Sequence, residues 1–180
     1  MNDICNDSPA YILERLVEKY GPDWAIYDRL TGLYRREVSE MLGEEIIEKN
    51  AKMDLPVSVV MIDLDDLCAF NNERGIKAGD DLLKKFARLV KKGCRTEGGK
   101  RPHDIIGRYG GDEFTIIMPG VTEEVAQIFI GRVREIADGF DVKFSYGIIG
   151  IRPGVSLASA TEEAFGLMKK DKFSRKGSGR

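Results

Sequence analysis

A chain of 180 residues with 42% hydrophobic and 32% charged side chains is large enough for one buried core and describes an ordinary soluble globular protein, one domain or one domain with a short extension. Its formal net charge of −2 gives no basis for non-specific binding to nucleic acid or to a membrane, so a polyanionic substrate would need metal ions or a few placed cations. No apolar run can span a bilayer, the start Met1-Asn2-Asp3-Ile4-Cys5 shows no signal peptide, and Cys5, Cys68 and Cys94 have no metal-ligand or redox spacing, so free thiols in a reducing cytoplasm are expected.

Along the chain, Ser8 and Pro9 suit a helix start, and Ile12, Leu13, Leu16, Val17 and Tyr20 fall on one face before Gly21. That helix is short and marginal alone, so it must pack on the domain or on a partner chain. Residues 22–32 connect, and a second amphipathic helix is predicted over 35–51 with Val38, Met41, Leu42 and Ile46 inward. Residues 56–64 read as a strand with apolar groups on both faces, ending in Asp63-Leu64-Asp65-Asp66. A helix begins around Asp80, with Leu82, Leu83, Phe86, Ala87, Leu89 and Val90 at helical spacing, and closes at Gly93; residues 95–102 are a polar loop.

Gly110 and Gly111 lie between the apolar pair Ile105-Ile106 and the run 114–118, which predicts a two-residue hairpin turn with positive φ at both glycines. A helix follows from Thr122, its buried face predicted as Val125, Ile128, Phe129, Val133 and Ile136. Residues 142–151 form a further strand. Ser159 and Glu162 have capping-box spacing for a last helix carrying Ala164, Phe165, Leu167 and Met168, after which a basic tail frays from Lys169. Helices alternating with strands and one hairpin give an α/β (α+β) fold, a mixed sheet covered by helices.

Chemistry concentrates at two strand ends. Asp63 closes a buried strand, and Asp112 and Glu113 follow the glycine pair. Three carboxylates gathered at one sheet edge repel unless a cation binds them, and their hard oxygens suit Mg²⁺ or Mn²⁺, ions that bridge nucleotide phosphates. Each acid alone reads equally well as a polar strand end in solvent. Side chains alternate along a strand, so Asp112 and Glu113 meet one site only because they sit at the turn; sequence alone does not say which would be left out.

The run 108–114, Arg-Tyr-Gly-Gly-Asp-Glu-Phe, resembles the signature of the diguanylate cyclase family, the GGDEF domains. Asp28-Arg29-Leu30-Thr31-Gly32-Leu33 resembles the family's opening motif, Asp63-Leu64-Asp65, Asn71, Gly75 and Gly79-Asp80 follow in its order and spacing, and Ser145-Tyr146-Gly147 resembles its late strand. The resemblance implies an N-terminal helical extension over 1–27, a cyclase domain of palm-like polymerase fold over 28–172, and a flexible basic tail over 173–180. It implies an enzyme that condenses two GTP into cyclic di-GMP and releases pyrophosphate. Carried over by position, Asp63, the Leu64 carbonyl, Asp112 and Glu113 would hold Mg²⁺ or Mn²⁺, and Asp112 and Glu113 would serve catalysis. Backbone amides of Asp66, Leu67 and Cys68 would hold the β- and γ-phosphates, Asn71 and Asp80 would read guanine, and Lys169 would contact phosphate. Arg101 and Asp104 resemble the family's R-x-x-D inhibitory site for cyclic di-GMP. Each site in the family holds one GTP, so a homodimer at least in passing is implied.

The chain also departs from the family pattern. Cys68 stands where lysine is common, Asn72 where aspartate is, Ile76 where histidine is, and Arg35 replaces an asparagine. Phe173 falls where an arginine is expected, with Lys172 and Arg175 the nearest substitutes. Fewer cations imply weaker GTP binding or slower turnover. Two rival readings remain: a non-catalytic effector that binds cyclic di-GMP through Arg101 and Asp104, and a cyclase of the same fold making another cyclic dinucleotide, against which Asp80 argues.

Overall fold

The computed structural model describes residues 25–95, 103–152 and 154–177, with residues 15 and 18. The rest of the helix expected over 9–20, together with Cys5, Trp24, Arg101 and Pro102, lies outside the described residues. Five strands, β1 (Tyr34–Arg35), β2 (Val57–Leu64), β3 (Ile105–Arg108), β4 (Glu113–Pro119) and β5 (Phe144–Gly150), form one sheet in the order β1-β3-β4-β2-β5. The β1–β3 pair is parallel and the other pairs antiparallel. Around the sheet lie α1 (Arg36–Lys52), α2 (Leu67–Arg74), α3 (Ile76–Gly93), α4 (Glu123–Asp138) and α5 (Leu157–Gly177). The mixed, helix-covered sheet expected from the sequence is the observed fold.

Alternation along β2 divides the core. Val60, Ile62 and Leu64 join a cluster with Leu83, Phe86 and Val90 of α3 and Ala126, Ile130 and Val133 of α4. Val57, Val59 and Met61 join the opposite cluster, with Val38 and Leu42 of α1 and Leu157, Ala160, Ala164 and Met168 of α5. Every residue of β2 is buried, which is why the strand reads as a continuous apolar run rather than an alternating one.

Several expectations change. The hairpin is not a two-residue turn: β3 ends at Arg108 and β4 begins at Glu113, so residues 109–112 form the loop, and neither Gly110 nor Gly111 has positive φ. Gly110 instead lies against the Glu113 carboxylate, where a Cβ would stand 2.7 Å from Oε2, the mobile end of that side chain. The buried face of α4 is Ala126, Ile130, Val133 and Ala137, while Val125, Ile128 and Ile136 are about half exposed. Two alanines let that face close against the sheet, and this outweighs the bulkier stripe beside it. The short α2 buries only Leu67, so it carries no periodic signal, and Gly75 at φ 86° separates it from α3, which begins at Ile76 rather than Asp80.

The last helix differs most. It starts at Leu157, where Ser156 Oγ accepts from the Ser159 amide, and it continues through Gly177 instead of fraying from Lys169. It lies close on β5: a Cβ on Gly147 would stand 2.0 Å from the Ala164 carbonyl oxygen and 2.6 Å from the Met168 nitrogen. Both obstacles are backbone and cannot rotate away. Gly147→Ala should therefore destabilise the fold by about 3 kcal/mol or more, measured by urea unfolding; a change under about 1 kcal/mol would show that α5 does not sit this close.

Candidate functional site

The two central strands, β4 and β2, bring the site together. Asp63, near the end of β2, pairs in register with Glu113, the first residue of β4. Alternation places both side chains on the α1/α5 side, with Met61 and Ile117. The Leu64 amide donates to the Asp112 carbonyl at 3.0 Å, extending the pairing into the loop. Burial pushes the Asp63 carboxyl above its ordinary value, and the Asp112 and Asp65 charges add to the effect, against Lys172. The Glu113 carboxyl is likewise raised, by burial and then by Asp63 and Asp112. Three acids thus act on one another. Among the described residues, however, no three such side chains close into a ready-made cation cage.

A protein cation stands at the pair instead. Lys172 Nζ donates to Asp63 Oδ1 at 2.5 Å. One turn on, Arg175 reaches Asp65 Oδ2 at 3.4 Å and the Phe144 carbonyl, while Ser145 Oγ donates to Asp65 Oδ1 at 2.8 Å. Asp65 is therefore occupied in tying β5 and α5 to the end of β2. Lys169, the lysine expected at phosphate, places Nζ 4.4 Å from the Phe165 ring centroid. Lys172 and Arg175 continue the face of Ala160, Ala164 and Met168 at spacings of three and four. That periodicity was the available signal, hidden because a basic, apolar-poor stretch reads as a tail.

The loop 109–112 is clamped from outside. Arg108 Nη2 donates to the Gly111 carbonyl at 2.7 Å and Nη1 to Asp28 at 3.1 Å. Asp28 also accepts from Thr31 N and Oγ1 at 2.9 and 2.7 Å. Burial alone would raise its carboxyl, but Thr31 and Arg108 hold it below the ordinary value. The opening motif's acid thus braces the glycine loop from 80 residues away in sequence, a link without local signal.

The other predicted residues take distinct places. Asp66 caps α2 in the left-handed region (φ 58°, ψ 24°), and its carbonyl accepts from Phe70 N at 3.0 Å. The amides of Leu67 and Cys68 lie in the first turn, where a helix supplies no acceptor. Asn71 Oδ1 is buried with no hydrogen-bond partner, and it lies over Gly79, where a Cβ would come within 1.8 Å of it. Asp80 is half-buried one residue further along α3. Asp104 stands apart. Its carboxylate is buried and accepts from the Arg95 amide at 2.8 Å and from the Arg95 guanidinium, which also donates to the Pro119 carbonyl at 2.9 Å. Its expected partner Arg101 lies outside the described residues.

Hard carboxylate oxygens, two of them forced together by strand register, fit a divalent magnesium-like ion. Asp63, Asp112, Glu113 and the Leu64 carbonyl are the groups that could hold one.

Comparison with known proteins follows the same lines. The family model described as "Diguanylate cyclase, GGDEF domain" matches residues 25–170. The response regulator PleD of Caulobacter vibrioides is 30% identical over 123 residues, 68% of this chain and 26% of that protein. The diguanylate cyclase VdcA of Vibrio cholerae is 30% identical over 156 residues, 80% of this chain and 43% of that protein. The chain thus spans about a quarter to two fifths of the length of these relatives. The GGDEF domain of DgcB from Caulobacter crescentus, solved in complex with c-di-GMP, superposes with a TM-score of 0.75 at 21% identity, over 83% of this chain and 89% of that one, and shows the shared fold.

The raised carboxyls give a stability prediction. The fold binds the protons of Asp63 and Glu113 more tightly than the unfolded chain does, so metal-free stability falls as pH rises from the ordinary carboxylate value through the raised one. Glu113→Gln removes one of these charges. In chelator the variant should melt above the wild type at neutral pH, with the gap closing as pH falls towards about 4. Melting curves across that range decide it, and a variant that melts lower at neutral pH contradicts the electrostatic account.

Proposed function

The chain belongs to the diguanylate cyclase family of GGDEF domains, and on that premise we propose that it condenses two GTP into cyclic di-GMP, with release of two pyrophosphates, at a metal-dependent site completed between two facing subunits. The observation that carries the reading is the in-register Asp63–Glu113 pair, two carboxylates kept together against their own repulsion. With Asp112 and the Leu64 carbonyl they would hold Mg²⁺ or Mn²⁺. The bound ion supplies charge neutralisation at the phosphate under attack and lowers the pKa of the attacking hydroxyl.

The remaining roles fall to the chain's own groups. The 3′-oxygen of one GTP attacks the α-phosphorus of the other, the bond to the β-phosphate oxygen breaks, and pyrophosphate leaves with the electron pair. Asp112, beside the pair, accepts the hydroxyl proton or helps hold the metal. Amides in the Asp66-Leu67-Cys68 turn hold the β- and γ-phosphates, and Lys169 lies near enough to influence Glu113. Asp80 presents a carboxylate that only accepts, and Asn71 brings an unpartnered Oδ1 acceptor beside its amide donor. The guanine edge offers N–H donors at both N1 and the exocyclic amine, whereas the adenine ring nitrogen at that place is an acceptor. That complementarity weighs against an adenine-containing product.

Two equivalent linkages in the product call for a two-fold working dimer. Feedback by product is part of the proposal, but Arg101 would carry it largely alone, since Arg95 already engages Asp104. The same engagement weighs against a non-catalytic effector that binds through Arg101 and Asp104.

Incubation of the full chain with GTP, ATP or both, in Mg²⁺ or Mn²⁺, with mass analysis of the products, tests the reading. Cyclic di-GMP should form from GTP alone, with no mixed product from the mixture. No cyclic dinucleotide under any condition, with cyclic di-GMP still bound, would falsify the enzyme and favour the effector. Glu113→Gln should cut synthesis by at least about 100-fold. Asp80→Asn should raise KM for GTP by roughly 10- to 100-fold, the worth of charged hydrogen bonds.

A further inference from the structure

One contact at the site is not needed by the chemistry above and opposes its first requirement. Lys172 Nζ lies 2.5 Å from Asp63 Oδ1, on an oxygen offered to the metal. Burial, which would lower the Lys172 pKa, is outweighed by Asp63, with Asp112 and Asp65 adding to the rise. The ammonium thus offsets part of the repulsion among the acids. It also blocks their use, since a divalent ion bound about 2 Å from the same oxygen would lie within about 4.5 Å of a positive charge. At that separation the ion–lysine repulsion has twice the charge product of the lysine–aspartate attraction.

A displaced Lys172 has few places to go. Asp65 is taken by Arg175 and Ser145. Asp112 and Glu113 belong to the ion. Lys172 is rooted on α5, whose preceding turns are buried at Ala164 and Met168, so the helix does not move away and only the flexible side chain swings. The anion that arrives with the metal, the nucleotide triphosphate, is the partner within reach.

We propose that Lys172 is a tethered stand-in for the divalent cation: it holds Asp63 in the metal-free protein, leaves when the ion binds, and transfers to the nucleotide phosphates, so that metal and nucleotide favour each other's binding. The proposal rests on the metal reading above and assigns Lys172 as a positioning residue. The exchange works against metal in the absence of nucleotide and in favour of it in its presence, a coupling between two ligands.

Mn²⁺ binding followed by electron paramagnetic resonance on the full chain separates the outcomes without recourse to turnover. It is measured alone and with 3′-deoxy-GTP, which lacks the attacking hydroxyl. Lys172→Met should tighten Mn²⁺ binding without nucleotide by about tenfold and weaken binding of 3′-deoxy-GTP. Lys91→Met, which removes a charge from the exposed last turn of α3, should shift nucleotide-free Mn²⁺ affinity by less than about threefold. If Lys172→Met leaves that affinity unchanged or lowers it while Asp63→Asn abolishes binding, the exchange is wrong and the metal site stands. An equal gain from Lys91→Met would reduce the effect to general charge and also overturn the exchange. If no variant and no nucleotide gives Mn²⁺ binding, the metal reading falls, and the exchange with it.

Discussion

The register between β2 and β4 is the constraint on which the rest of the molecule depends. It sets Asp63 opposite Glu113, and a slip of β2 by one residue would turn Asp63, with that strand's apolar residues, to the other face and part it from Glu113. The slip is prevented by packing on both sides, because each residue of β2 is buried and the two faces feed two separate cores. Hydrophobic burial distributed along two strands thus holds two like charges together at their end. The acids weaken the fold locally, and the surrounding packing offsets them.

The same logic runs through the helix that closes the chain. The first turns of α5 are core, with Ala160, Ala164 and Met168 packed against the sheet and Gly147 giving the backbone its close approach. Its last turns are chemistry, with Lys172 on Asp63 and Arg175 on Asp65. A helix anchored at one end by small apolar residues can place cations at the other with little freedom. Arg108 does for the glycine loop what α5 does for the strand end, joining the Gly111 carbonyl to Asp28.

Much of this was legible in the sequence, for identifiable reasons. The strand at 57–64 announced itself because both faces are apolar, and the acids at 63, 112 and 113 because charges rarely follow such runs without purpose. Other features were hidden. The four-residue loop 109–112 looked like a two-residue turn because glycine pairs usually supply positive φ, whereas here neither glycine does. The face of α4 was misread because Ala126 and Ala137 pack more closely than Val125, Ile128 and Ile136. The basic end read as frayed because the role of Lys172 and Arg175 depends on carboxylates more than 100 residues away. The pairing of Asp104 with Arg95 was also without signal, because the two lie on either side of the polar loop.

The central claim is that strand register brings Asp63 and Glu113 to one metal site and that Asn71 of α2 and Asp80 of α3 receive the guanine of the same nucleotide. The most direct measurement is anomalous diffraction from crystals of the full chain grown with Mn²⁺ and 3′-deoxy-GTP. The account predicts a manganese peak touching both Asp63 and Glu113, with the guanine edge against Asn71 and Asp80. A peak away from the Asp63–Glu113 pair, or a base seated elsewhere, would contradict it.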